Sequence, residues 1–562
     1  MKRNIANLAA QEYDIIIIGG GIYGAWAAWD AALRGLSVAL LEKSDFGAAT
    51  SSNSMKIIHG GLRYLQHLDF KRMRESIRER TILMRVAPHL VHPLPCLMPT
   101  YGHGLKGREV MSIVLFLNDL ISYDRNRLGD PKKHIPGGKT YSRAELKSLL
   151  PGIPEKRLTG GAQWYDCQIY NSERLMLSLL HGAVDKGAHI ANYAQVIDFI
   201  HKENRIIGVK VRDCETSRNY NVFGKVVLNT SGPWINKTLG MLNGFQSSEK
   251  TPIAKGINLI VNRQLIPKFG VGVPSTVTYQ DADAVFNKGS RFLFFTPWRK
   301  YTILGTTYFP FSGDENNFAI TEKDICGLLD EFNQAYPAMQ VKREEISSFH
   351  AGMLPATANG KDNAEVNAEK QFRLIDHKKA SGLEGLISVL GVKYTTARDV
   401  SSKAVDLAVK KLPQKGVKSR TASEPIPGGN IEIFEDYLTQ ETAKRPWGLA
   451  EQVAKHLVYN FGSRYTVILQ YLRENETWSK PVSTSEEVII AEVVHGVREE
   501  MALTLDDVIK RRTELGSAAC PDDISLQKCA EIMAIELGWD TQKIAEEITA
   551  TKASYVPASS PF

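Results

Sequence analysis

At 562 residues the chain is longer than one typical hydrophobic core supports, so two or three domains are expected. A composition of 43% hydrophobic and 23% charged residues excludes wholesale disorder. The formal net charge of +7 suits an anionic small-molecule substrate or an acidic membrane surface, whereas the dispersed Lys and Arg residues argue against nucleic acid.

The first residues, MKRNIANLAAQEYD, are polar and lack the apolar stretch of a signal peptide. Ile15 to Ile18 form a continuous β-branched run, as expected of a parallel strand buried on both faces. Gly19, Gly21 and Gly24 then fit G-x-G-x-x-G, in which one glycine turns the chain, one admits a pyrophosphate and one lets helix pack on strand. A helix over 23–34 would point its N-terminal amides and positive dipole end at the phosphates. A second strand over 37–41 ends at Glu42, about 20 residues beyond the glycines, where a carboxylate accepts from ribose hydroxyls. Strand, glycines, helix, strand and acid in register predict a dinucleotide site. The acid disfavours a 2′-phosphate and leaves FAD or NAD.

The next segment, ATSSNSMKIIHGGLRYLQ at 49–66, joins hydroxyl residues to His59, Arg63 and Tyr64. Hydroxyls and exposed amides suit phosphate oxygens, and an imidazole near a guanidinium suits an anion that must lose a proton. The same spacing also fits a loop whose His59 and Arg63 cap a helix. MSIVLFLNDLISY at 111–123 is too short to span a membrane and is broken by Asn118 and Asp119. We expect a buried helix there, with a membrane-interface helix as the alternative.

Short apolar runs between 185 and 231 (HIANYAQVIDFI, RIIGVKVRD, GKVVLNTSG) read as strands. INLIVN, SRFLFFTPW and KYTILGTTYF, between 252 and 310, alternate as antiparallel strands do. GLISVLGVKYTTARDVSSKAVDLAVKKL at 385–412 returns to strand, turn and helix. Residues 413–430 carry prolines, glycines and charges without apolar pattern and read as a linker. Residues 431–562 show helical periodicity. Cys96, Cys167, Cys214, Cys326, Cys520 and Cys529 show no C-x-x-C spacing and no disulfide framework, which fits a reducing cytoplasm; no metal site is expected.

IIIIGGGIYG, ATSSNSMKIIHGGLRYL, LNTSGPWI at 228–235, ILGTTYF, GVKYTTARDV at 391–400 and AEVVHGVREEMALTLDDVIKRRTELG at 491–516 together resemble the FAD-dependent glycerol-3-phosphate dehydrogenase and oxidase family. The motifs occur in that family's order and span nearly the whole chain. The resemblance implies an α/β fold: a discontinuous Rossmann-like FAD-binding domain interleaved with an antiparallel-sheet substrate domain, plus an α-helical C-terminal domain. It implies an oxidoreductase domain over 1–412, with FAD-binding segments at about 10–95, 150–240 and 345–412 and cap segments at about 96–149 and 241–344, then the 413–430 linker and a helical domain over 431–562.

By the same resemblance Gly19, Gly21, Gly24 and Glu42 hold the ADP half, Thr50, Ser51 and Ser52 the diphosphate region, and Gly232, Gly391 and Val392 the flavin. His59, Arg63, Lys255 and Lys393 are implied to be catalytic, and Tyr64, Asn258, Leu354 and Thr396 to line the substrate pocket. His59 is the candidate base, since imidazole is neutral near physiological pH. The implied reaction oxidises sn-glycerol 3-phosphate to dihydroxyacetone phosphate, with electrons passed to quinone or another acceptor at the inner membrane surface. Three positions depart from the family: Leu354 replaces the arginine of G-V-R-P-L, Ile257 and Asn258 replace the serine and histidine of K-G-S-H, and Val392 replaces the second glycine of G-G-K. They leave open a same-fold enzyme for a less phosphorylated polyol, hydroxy acid or amine, or a flavin-binding protein without turnover.

Overall fold

Residues 1–103, 107–242, 251–278, 290–359, 365–368, 371–413, 417–483 and 487–559 are described by the computed structural model. One sheet has eight strands, and its backbone path runs Arg373–Asp376, Leu386–Leu390, Asn219–Asn229, Glu12–Ile18, Val38–Leu41, His189–Ala191. The inner pairings are parallel, with Ile15 opposite both Val226 and Val38. Ile15, Ile16 and Ile17 are fully buried because helices and loops cover both faces, which is why this strand reads as an unbroken apolar run. The expected helix is Ile22–Leu33, packed on this sheet through Trp26, Trp29 and five alanines.

The second sheet has ten strands and is mostly antiparallel. Ile253–Val261 lies between Tyr301–Phe311 and Ile346–Asn359, and Ser290–Trp298, Gly270–Thr278, Val91–Tyr101 and Leu158–Ile169 continue it. Leu158–Ile169 and Ile346–Asn359 fall by sequence in the flavin-binding segments 150–240 and 345–412. The structure places both in this cap sheet, because their lengths are taken up in pairing with Val91–Tyr101 and Ile253–Val261.

The helix around 111–123 requires a correction. It forms as Arg108–Ile121, but only Leu115 is buried along it. Ile113 is 60% exposed, Phe116 67%, Leu120 62% and Tyr123 71%. Apolar periodicity predicts that a helix has something to bury, not that its outer face is covered. No helix among the described residues is long and apolar enough to cross a membrane.

The described part of 413–430 is packed rather than loose. Thr421 is buried and accepts from Arg398 Nη1 at 3.0 Å, Arg398 is bidentate on Glu79 at 2.6 Å, and the Ile426 amide donates to the Val86 carbonyl at 3.0 Å. The helices that follow, from Phe434–Lys444 to Thr541–Ala553, share their own apolar core. The run from 487 to 515 is not one helix. Ile490–Glu500 stops at Met501, whose φ is +55°, and Thr504 caps a new start that opens into a π turn at Val508–Arg512.

Candidate active site

The carboxyl end of Glu12–Ile18 leads into the glycine loop. Gly19 has φ +102°, and a Cβ there would come within 2.7 Å of the Thr230 carbonyl. At Gly24 a Cβ would lie 1.9 Å from the Gly19 carbonyl, so helix and loop can approach this closely only without a side chain. Gly21 caps Ile22–Leu33 with extended backbone and no side chain of its own, so of the first amides the Ile22 N–H is taken by Ser51. Ser51 Oγ accepts from the Ile22 amide at 2.9 Å, the Thr50 hydroxyl donates to the Met353 carbonyl, and Ser52 Oγ donates to the Gly47 carbonyl at 2.9 Å. Glu42 accepts from the Gly20 amide at 2.7 Å and from the Ser44 amide at 2.9 Å, just beyond the second strand. Gly232, with φ +56° and open space within 4 Å of where a Cβ would stand, begins the neighbouring loop after Asn219–Asn229. A glycine-capped helix start, an acid beyond the second strand and glycines that no side chain can replace fit FAD.

His59, Arg63 and Tyr64 follow on the next loop. The His59 amide donates to Thr395 Oγ1 at 3.2 Å, which ties this loop to the segment carrying Lys393 and Thr396. His59 and Tyr64 meet edge to face at 5.9 Å, and Lys393 Nζ stands 4.7 Å from the Tyr64 ring. Tyr64 thus contacts both the imidazole and the ammonium. Burial lowers the His59 pKa to about 4; Asp166 opposes this, while Lys393, Arg63 and Arg80 add to it, so the ring is neutral at physiological pH. Burial together with the Arg72 charge brings Lys393 down to about 8, with Glu75 and Asp69 opposing. Thr396 sits at the start of Ala397–Val409, and with Val392, Lys393, Arg72 and Lys71 it lines a cavity of about 240 Å³. Gly391 lies against Tyr23, whose hydroxyl donates to the Lys393 carbonyl at 3.0 Å.

The cap sheet supplies the opposite wall, and its alternation sorts the remaining residues. Ala254 and Asn258 face the flavin domain; Leu354, 8% exposed, packs with Ala254, Ala356 and Val392. Asn258 Oδ1 accepts from Thr306 Oγ1 at 2.6 Å. Lys255 has the opposite parity and is not brought to this wall. Its ammonium pairs with Asp324, at 2.9 and 2.8 Å, under the helix Glu322–Ala335 on the far face of the sheet. An apolar neighbourhood in sequence cannot reveal which face a strand residue takes without its register.

Two neighbours of the site carry no motif in the sequence. Asp166 accepts from the Gly60 amide at 2.6 Å and from Trp164 Nε1 at 3.1 Å, so it fixes the turn that carries His59. An acid inside the apolar run QWYDCQI was the available signal. Tyr308, 40% exposed, flanks Gly256 opposite Leu354. Away from this site, His181, His495 and Glu500 form a metal-like triad among the described residues, but Glu500 already accepts both guanidinium nitrogens of Arg174.

A family model described as FAD dependent oxidoreductase matches residues 14–392. The chain belongs to that family. A second model, the C-terminal domain of alpha-glycerophosphate oxidase, matches residues 419–544 of this FAD-dependent oxidoreductase. A glycerol-3-phosphate dehydrogenase of Synechocystis sp. is 31% identical over 561 residues, covering 97% of each chain. Glycerol-3-phosphate dehydrogenase 2 of Mycobacterium tuberculosis is 30% identical over 543 residues, 96% of this chain and 88% of that one. The fold matches the glycerol-3-phosphate dehydrogenase from Bacillus halodurans complexed with FAD, at TM-score 0.76 and 23% identity over 98% and 96% of the two chains. FAD is therefore the dinucleotide of this oxidoreductase, and NAD is set aside.

Proposed function

We propose that this oxidoreductase converts sn-glycerol 3-phosphate to dihydroxyacetone phosphate. The observation that carries the reading is the convergence of a neutral His59 with Arg63, Tyr64 and Lys393 beside the FAD cradle, in a chain whose near-full-length relatives are named glycerol-3-phosphate dehydrogenases. Bound FAD supplies the two-electron acceptor for the hydride leaving the carbinol carbon. The hydroxyl proton passes to an imidazole nitrogen of His59, which Asp166 keeps in place through the Gly60 amide. Arg63 and Lys393 bind the phosphate and oppose charge building on the substrate oxygen as the proton leaves. Anaerobic mixing with glycerol 3-phosphate should bleach the flavin band of the wild-type protein and leave a His59→Ala variant yellow. Bleaching by unphosphorylated alcohols alone would reject the substrate while keeping the oxidoreductase.

The packing of Leu354 against Val392 and Ala254 supports a second reading, a less phosphorylated polyol, hydroxy acid or amine. The exposed face of Arg108–Ile121 supports a peripheral membrane location with quinone as acceptor. Its Val114 and Ile121 pack onto the cluster that holds Tyr64, so an apolar surface lies one layer of side chains from the site. The neighbouring cations Arg74 and Arg127 both stack on Tyr123. Phe116→Ser with Leu120→Ser should abolish co-sedimentation with vesicles containing anionic lipid. Unchanged binding would remove this helix from the interface.

A further inference from the structure

The motif LTLDDVIKRRTELG, far from the active site in sequence, reaches into the FAD cradle. Arg511 and Arg512, closing the π turn Val508–Arg512, converge on Asp45, which is 1% exposed. Arg511 Nε donates to Asp45 Oδ2 at 2.6 Å; Arg512 donates to Oδ2 at 2.8 Å and to Oδ1 at 2.6 Å. Both guanidiniums are fixed from behind. Arg511 also holds Asp507 at 2.8 Å, which accepts the Tyr193 hydroxyl at 2.9 Å, and Arg512 Nε donates to the Glu500 carbonyl at 2.9 Å. Burial pushes Asp45 up, but the Arg512 and Arg511 charges outweigh it and hold the carboxyl near 2, so the pair stays ionised.

Asp45 begins the loop that carries Thr50, Ser51 and Ser52. Its carbonyl accepts from the Ala48 amide at 3.2 Å, and the Gly47 amide donates to the Gly20 carbonyl at 3.1 Å. Phe46 lies against Gly20, where a Cβ would meet the ring at 2.7 Å. Beyond Gly47, Ser51 accepts from the Ile22 amide at the helix start. At the other end of the loop, His350 Nε2 donates to the Ser517 carbonyl at 2.8 Å while Nδ1 faces the Ser54 carbonyl at 3.3 Å. The stretch 511–517 of the helical domain therefore holds the loop directly at Asp45 and meets its other end only through His350 of Ile346–Asn359.

We propose that Arg511 and Arg512 are positioning residues for FAD: through Asp45 the helical domain holds the 45–54 loop in the shape that receives the diphosphate. The proposal rests on the FAD assignment. A loop released from its anchor populates that shape only part of the time, and apparent affinity falls by the lost fraction. Two variants test it, Arg512→Lys, which keeps the charge but loses the fork, and Asp45→Asn, which keeps the shape but loses the charge. FAD affinity is read from flavin fluorescence on titrating apo-protein, and loop order from hydrogen exchange at the 47–54 amides. Arg464→Ala is the control, since Arg464 pairs with Asp185 across the same two domains at 2.7 Å on the surface, away from the loop.

Both loop variants should bind FAD at least tenfold more weakly, as expected when a charge-assisted anchor is lost, and exchange faster at 47–54 with unchanged far-UV circular dichroism; the control should match wild type. Folded variants with wild-type affinity and protection would overturn the proposal. Should neither variant fold, the wild type decides: in rising urea, FAD release must coincide with lost protection at 508–517, and release preceding that loss overturns it. A wild-type protein that binds no FAD would instead overturn the cofactor assignment beneath it.

Discussion

Leu354→Arg asks what the substrate wall is built to hold. Leu354 is packed by Ala254, Ala356 and Val392, all small or short, and borders Gly256, where even a Cβ would stand 3.4 Å from the leucine Cδ2. A longer, unbranched side chain can therefore leave the wall along the glycine. In the free protein the new guanidinium adds a third positive charge to those of Arg63 and Lys393 and must be desolvated beside Val392 and Ala254, so the melting temperature should fall. With a phosphorylated substrate bound, it adds one charge-assisted contact worth about 1.5–3 kcal/mol, or roughly 10- to 150-fold in affinity. The assay is flavin reduction across a glycerol 3-phosphate series, beside thermal denaturation with and without substrate. A lower concentration for half-maximal reduction, together with substrate-dependent recovery of the melting temperature, is expected. A variant that folds, keeps FAD and shows neither change would refute placing Leu354 at the phosphate end of the pocket.

Other outcomes follow from individual side chains. Gly24→Ala forces a methyl to within 1.9 Å of the Gly19 carbonyl, so the purified variant should lack the flavin absorbance band and not regain it on incubation with FAD. Activity toward an anionic substrate should fall above about pH 8 as Lys393 loses its proton, and Lys393→Arg should remove that alkaline limb from kcat/KM; a limb unchanged in the variant assigns it to another group. His89 is fully buried with neither ring nitrogen bonded among the described residues, and burial, with the Lys133 charge adding, lowers its pKa to about 3. Its folded-state value lies below the unfolded value of about 6.5, so its contribution is complete above pH 6.5 and is lost as pH falls toward 3; between pH 7.5 and 5 this amounts to about 2 kcal/mol. His89→Phe should show that much less acid destabilisation in urea titrations at the two pH values, and parallel losses would discount His89.

The flavin-binding half was legible in the sequence because its constraints are local. A strand buried on both faces must be apolar throughout, a pyrophosphate at a helix start needs glycines, and the ribose acid follows at a distance set by one βαβ unit. Glu42 accepts from the Gly20 amide, Gly24 packs against the Gly19 carbonyl, and His59 meets the Tyr64 ring. What tertiary structure alone decided is which face a residue takes and what covers it. Lys255 lies in the expected strand, yet the pairing of that strand with its neighbours turns the ammonium toward Asp324. Arg108–Ile121 formed a helix as expected, but no described element covers its outer face. Arg512 meets Asp45 across 467 positions of chain, and Asp166 supports His59 from another strand; no local pattern encodes either pair, because each exists only after two distant segments have packed.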